Sequence, residues 1–321
     1  MLYSCLKFIA SLGIRIFCRK IIINKPDLLK IKGPLLLACN HPNSFLDSVI
    51  LDTLFDQPVW SLARGDVFKK PLYIRILTGL KILPVYRTSE GVENLSANYK
   101  TFDACINIFR NNGLITIFSE GKCINEWHLR PLKKGTARLA IKTWGEDIPL
   151  QVLPVGINYS SFTRFGKNIF LNFGTLIKKD DINFNDSDGL RHQSFNNYLQ
   201  LQLEQLVFEI PKNDIQKQKE QLEIKPSSQK QFFLAIPAVI GYLLHWPLYW
   251  PVKNFTWKRT HHNDHYDSVL MGILLLTYPL YLLLIISIIW IATGCWWSIF
   301  LLLVLPFTAW SYVQLKSQID K

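Results

Sequence analysis

From Ser268 to Leu315 the chain does not carry one charged side chain. No other feature limits the possible folds so strongly. A membrane-crossing helix takes about 20 predominantly apolar residues, so this stretch is long enough for two. Gly294, Cys295, Trp296 and Trp297 fall where a tight turn divides it. Trp290, Trp296, Trp297 and Trp310 suit the membrane–water boundary, where an indole keeps its polar edge wet. The pattern predicts a polar loop from residue 253 and a transmembrane helical hairpin at 268–291 and 296–315.

Two further segments bear on the membrane. Residues 231–252 also lack charge but hold Pro237, His245, Pro247 and Pro251. Lys230 precedes them and the basic run KNFTWKRTHH follows. Basic flanks favour the cytoplasmic side, and a crossing here would put one of them outside. An interfacial or re-entrant segment is therefore expected in place of a third span. At the N-terminus, residues 1–30 open with an amphipathic pattern. Leu2, Cys5, Leu6, Ile9, Gly13, Ile16 and Phe17 share one helical face, and Ser4, Lys7, Ser11, Arg15 and Arg19 share the other. This predicts a basic helix lying in the membrane interface.

The remainder reads as α/β. Residues 31–210 alternate short apolar runs with helix-like stretches. PLLLAC, GLKILPVY, GLITIFS, IPLQVLPVGINY and NIFLNFGTLI read as strands, and 44–55, 90–111 and 134–144 as helices. Such alternation implies a largely parallel sheet covered by helices. One more amphipathic helix is expected at 194–209, then a polar linker over 211–230. The six cysteines show no CxxC spacing, so neither a disulfide framework nor a structural zinc site is expected, and a reducing compartment is the default. Thirty-six basic residues against 24 acidic ones give a formal charge of +12. That suits an anionic partner, whether nucleic acid, a membrane surface or a phosphate-bearing substrate.

In parallel α/β sheets, sites collect at the carboxyl ends of the strands. Each polar cluster of this sequence falls there. His41 leaves the first strand in NHPNSFLD, with Asp47 in what reads as the first turn of a helix. Arg87 ends the second in LPVYR, and Glu120, Gly121 and Lys122 follow the third in FSEGK. A histidine titrates near neutrality and can accept a hydroxyl proton. A carboxylate on its other ring nitrogen fixes the tautomer and stabilises the imidazolium.

These blocks resemble the glycerolipid acyltransferase superfamily, which includes lysophosphatidate and glycerol-3-phosphate acyltransferases. NHPNSFLD looks like its first block, ARGDVFKKPLYIRILTGLKILPVYR its second, FSEGKCINEWHLRPLKKGTARLA its third and VLPVGI its fourth, in order over residues 35–160. Two details depart from the commonest pattern. Five residues separate His41 from Asp47 where four are usual, and Lys122 and Cys123 follow the Glu-Gly turn where Thr-Arg is frequent. The resemblance implies transfer of an acyl group from an acyl-coenzyme A or acyl carrier protein co-substrate to a glycerolipid hydroxyl, with no metal or other cofactor. His41 is then the general base and Asp47 its orienter. Arg87, Glu120, Gly121 and Lys122 are then the substrate-binding set, with Arg87 and Lys122 on the acceptor phosphate.

Lysophosphatidate is the first acceptor implied. Glycerol-3-phosphate and a lyso-aminolipid are alternatives, and an inactive membrane scaffold is the non-enzymatic one. An integral membrane protein with its catalytic domain on the cytoplasmic face is expected, partnered by membrane lipids and not by nucleic acid. Oligomeric state is not legible. HHNDHYD, residues 261–267, is histidine-rich, but the chain has only seven histidines, and the run reads as a wet interfacial loop and not an iron site.

Overall fold

The run Leu35–Cys39 is apolar on both faces, and a strand of that kind is stable only when covered on both sides. In the computed structural model, which describes residues 2–86 and 97–319, it is the central strand β2, with all five residues buried. The sheet also contains β1 (Cys18–Ile23), β3 (Val59–Arg64), β4 (Ile82–Val85), β5 (Leu114–Phe118), β6 (Gln151–Tyr159) and β7 (Lys167–Phe173). Their order is β1-β7-β6-β2-β5-β3-β4. The pairs β2–β5, β2–β6, β3–β5 and β3–β4 are parallel, as is β1–β7, and β6–β7 is antiparallel. The fold is thus α/β with a largely parallel sheet.

Alternation along β2 divides the core in two. Leu35, Leu37 and Cys39 face one layer, with Ile14 and Phe17 of α1 (Leu2–Phe17) and Leu46, Ile50 and Leu51 of α2 (Ser44–Leu54). Leu36 and Ala38 face the other, built from α4 (Ala97–Arg110), α5 (Gly135–Gly145) and α6 (Asp188–Leu206). Between β3 and β4 lies α3 (Pro71–Gly79), which buries no residue and exposes Leu72, Tyr73, Ile74 and Ile76.

The N-terminal segment differs from its expectation. Leu2–Phe17 is α-helical and Pro26–Lys30 forms a 3-10 turn, but Cys18–Ile23 is an edge strand, where consecutive isoleucines suit the pleated backbone better than a helix. The helix also turns differently. Lys7, placed on the solvent face by periodicity, donates to Phe55 O at 3.0 Å, and Tyr3 Oη donates to Asp52 at 2.6 Å. Leu2, Phe8 and Leu12 are left exposed. The tertiary partners of Tyr3 and Lys7 outweigh the local pattern, because a long lysine stem can run over apolar surface to a polar group beyond it.

The expected linker at 211–230 holds α7 (Ile215–Leu222), capped by Asp214, which accepts from Lys217 N at 2.9 Å. Leu222 reaches the core. The segment 231–252 lies within one continuous helix, α8 (Ser228–Thr260), with three prolines inside it. Then come α9 (Tyr266–Thr293) and α10 (Leu301–Leu315), joined through Gly294 in the left-handed region (φ 65°) and a 3-10 turn at Trp296–Phe300. The helix α8, the helix α9 and the segment Trp296–Leu315 are each long and apolar enough to cross a membrane.

The last two helices do not form an isolated hairpin. Gly241 of α8 meets the Thr308 carbonyl of α10 so closely that no side chain fits between them. Tyr281 Oη donates to Leu244 O at 2.6 Å, joining α9 to α8. Both ends of the α9–α10 pair return to the α/β domain. Ser268 holds α2, and Gln318 accepts from Ser160 Oγ at 3.0 Å.

Candidate active site

The chain leaves β2 at Asn40, whose amide clamps both backbone groups of Ile157 on β6, at 2.7 and 3.0 Å. The next residues turn into α2, with Ser44 in the left-handed region (φ 49°). This turn accommodates the five residues between the histidine and the aspartate and folds them back on each other. His41 Nδ1 lies 2.8 Å from Asp47 Oδ2. The imidazole stacks on Phe118 of β5, with ring centroids 3.9 Å apart and planes at 11°.

Asp47 is fully buried and held from three sides. It takes His41 and the Asn43 N–H, at 2.9 Å, on Oδ2, and the Tyr159 hydroxyl, at 2.6 Å, on Oδ1. Asp47 also sits in the first turn of α2, where a negative charge is favoured. Burial, with the Asp47 charge adding to it, pushes the Tyr159 phenol up, so it remains a donor. A carboxylate only accepts, so an ionised Asp47 favours the tautomer with the proton on His41 Nδ1. Its side chain is 14% exposed, and no described residue occupies Nε2. This imidazole can take a proton from a bound hydroxyl through Nε2.

The other sequence-predicted residues separate. Glu120 follows β5 beside His41, but its carboxylate points at backbone. It accepts from His41 N and Arg130 N, both at 3.0 Å. Desolvation pushes its carboxyl pKa up, partly offset by those two N–H donors and by His41 and Arg130 nearby. These two bonds brace the His41 loop. Gly121 has φ 69°, a conformation side chains rarely adopt, and an added Cβ would stand 3.0 Å from Lys133 Cγ. The turn exposes Lys122 to solvent. Arg87 lies outside the described residues. Among the described residues, no group of three or more His, Cys, Asp or Glu side chains is placed to hold a metal ion.

Asn43, Tyr159, Asp267 and Ser268 escaped the sequence reading. Tyr159 ends a strand expected only to be core, and its place beside Asp47 is set by β2–β6 pairing. The stretch 261–267 is not a free loop. His265 Nδ1 lies 2.8 Å from Ser44 Oγ, and Asp264 accepts from Asn125 N at 3.0 Å. The spatial proximity of this stretch to NHPNSFLD has no local signal.

Comparison with known proteins gives the class. Residues 20–158 match the model of the acyltransferase family. This segment runs from β1 to the end of β6 and contains the His41–Asp47 pair with its Phe118 and Glu120 supports. The α/β domain is an acyltransferase domain, and the protein is an acyltransferase. Among solved structures, the crystal structure of the 1-acyl-sn-glycerophosphate (LPA) acyltransferase PlsC from Thermotoga maritima aligns over 63% of this chain and 78% of its own, at 18% identity and a TM-score of 0.43. No curated protein matches the sequence.

Proposed function

We propose that the protein transfers a fatty acyl group from an acyl thioester to the free hydroxyl of lysophosphatidate, at a membrane surface. The observation that carries the reading is the His41–Asp47 contact at 2.8 Å, with its carboxylate fully buried and Nε2 unengaged. The acceptor hydroxyl attacks the thioester carbonyl while Nε2 takes its proton. The tetrahedral intermediate collapses, the C–S bond breaks, and the imidazolium returns the proton to the leaving sulfur. Asp47 keeps the ring in the right tautomer throughout and stabilises the transient cation. No enzyme nucleophile is required.

The acceptor phosphate is assigned to Arg87 and Lys122 by position in the blocks, with charge-assisted contacts as the physical basis. The donor is acyl-coenzyme A or acyl carrier protein. A lipid acceptor is supported by the surface. The exposed apolar residues of α3 lie among Lys69, Lys70 and Arg75, and such a helix suits an anionic membrane interface. The exposed Leu2, Phe8 and Leu12 of α1 add to the same kind of surface. Membrane association rests on the three apolar helices. The net charge of +12 and the basic flanks of α8 favour a catalytic domain on the cytoplasmic face.

The His-to-Asp spacing favours glycerol-3-phosphate as the second acceptor to test, and the Glu120-Gly121-Lys122 turn a lyso-aminolipid as the third. The test is purified protein in detergent against lysophosphatidate, other lysolipids and glycerol-3-phosphate, each with acyl-coenzyme A and acyl carrier protein. Turnover of lysophosphatidate above the other acceptors supports the assignment. Preference for glycerol-3-phosphate or a lyso-aminolipid replaces it.

A further inference from the structure

A second buried acid stands behind the first. Asp267, in the first turn of α9, receives the Lys167 ammonium and the Asn43 side-chain amide, the latter at 2.7 Å. The Lys167 and Asp267 side chains are both 0% exposed. Asn43 is the residue whose backbone N–H binds Asp47. The neighbouring Ser268 hydroxyl accepts from Leu46 N at 3.1 Å and donates to Asn43 O at 2.9 Å. The first turn of an apolar helix thus grips the loop between His41 and Asp47 at three points.

Lys167 gives this grip an electrostatic role. Its ammonium lies 6.0 Å from the centroid of the Tyr159 ring and 5.4 Å from that of Phe17. Tyr159 is also the residue whose hydroxyl binds Asp47. A cation removed from water must be paired. Two carboxylates are within this buried region, Asp47 and Asp267. With Asp267 holding Lys167, the charge of Asp47 is left to His41. Without it, the buried ammonium competes with His41 for Asp47.

We propose that Asp267 is a positioning residue for acyl transfer. It neutralises Lys167 so that Asp47 serves His41, and it fixes Asn43, which supplies a donor to Asp47. The inference rests on His41 being the general base. It makes the seating of α9 on the domain a condition for a competent site, so the membrane helix is part of the catalytic arrangement and more than an anchor.

The test uses the full chain in detergent, with Asp267→Asn, Lys167→Met and the double substitution. Asp267→Asn should lower kcat about tenfold to a hundredfold, as losing a residue that orients a functional histidine or carboxylate does. KM for both substrates should stay within about twofold, because Asp267 does not reach them. Lys167→Met should lower kcat less, since it releases no cation toward Asp47. The double substitution leaves no unpaired buried charge and should restore kcat to within about threefold of wild type, a strongly non-additive result.

A purely mechanical anchor would instead leave the double variant at or below the single one. That result overturns the proposal, as does wild-type kcat in Asp267→Asn or a loss carried wholly by KM. A second readout needs no acyl acceptor: the rate of His41 carbethoxylation by diethyl pyrocarbonate, followed by peptide mass spectrometry. It should slow in Asp267→Asn and recover in the double variant; an unchanged rate in Asp267→Asn overturns the proposal. Should the wild type acylate none of the acceptors, the assigned reaction fails while this rate still judges Asp267. If Asp267→Asn does not fold, Asn43→Ala takes its place, since it keeps the ion pair and cuts its link to the loop. A slower His41 modification in that variant is expected, and a wild-type rate with wild-type kcat is the overturning result.

Discussion

Two helices of this protein carry a buried aspartate in the first turn, α2 with Asp47 and α9 with Asp267. Asn43 serves both, giving its backbone N–H to the first and its side-chain amide to the second. The partners differ. Asp47 faces a histidine six residues earlier whose side chain is 14% exposed, and Asp267 faces a fully buried lysine on β7. The first pair borders solvent, which suits the proton transfer proposed for it. The second pair is dry on both sides. A buried ion pair of this kind adds little net stability, but losing one partner typically costs about 3–5 kcal/mol. The same residue type in the first turn of a helix is therefore suited to the proposed chemistry in one place and to geometry in the other. Access of water to the partner decides which.

The sharpest way to break this comparison is His41→Ala. Turnover should fall about a hundredfold to ten-thousandfold, the usual cost of a missing general base. Thermal unfolding should shift downward as well, because the fully buried Asp47 loses one of its three donors, a charged hydrogen bond worth about 1.5–3 kcal/mol. Near-normal turnover would remove the chemical half of the contrast.

Truncation before Tyr266 comes next. Sequence alone leads one to expect an α/β domain with a self-contained core, which without α9 and α10 would lose more activity on a vesicle-borne acceptor than on a soluble short-chain one. The contacts of Asp267, Ser268 and Gln318 alter that expectation. The truncated chain should lose at least about tenfold in kcat on both vesicle-borne and soluble acceptors, as Asn43 and Leu46 lose their partners. Full activity on the soluble acceptor would show that α9 is an anchor only.

Tyr159→Phe keeps the ring and removes one donor from a buried carboxylate. Such a charged hydrogen bond is worth about 1.5–3 kcal/mol, and a loss of that size should appear in stability measured by denaturant unfolding. A smaller fall in kcat should accompany it. Equal stability would mean that Asp47 is adequately held by His41 and Asn43.

The smallest effect is expected from Leu72→Ser with Ile74→Ser on α3. Both side chains are exposed, so stability should stay within about 0.5 kcal/mol. Activity on anionic vesicles should drop a few-fold, roughly in line with the apolar area withdrawn from lipid, while activity on a soluble acceptor holds. Equal losses on both would place α3 in the fold and not at the membrane.

What could be read without the fold was local. A doubly apolar LLLAC must be a covered strand, and an uncharged run from 268 to 315 must be buried or in lipid. The four blocks, in order, resemble those of glycerolipid acyltransferases, and that resemblance implied acyl transfer with His41 as base and Asp47 as its orienter. Each block and each apolar run can be read element by element or turn by turn, where periodicity and side-chain chemistry act directly.

Tertiary structure decided what depends on distant partners. Cys18–Ile23 became a strand because β7 offers a free edge, and Lys7 turned inward because Asp52 and Phe55 O lie beneath it. Glu120 became a brace because the backbone N–H groups of His41 and Arg130 converge on it. Tyr159 and Asp267 reach the His41–Asp47 loop from separate elements, with Lys167 paired to Asp267 from a third, and no spacing along the chain encodes that meeting. Burying a charge is tolerable only beside its complement, and in a folded chain the complement is fixed by packing, at any separation in sequence.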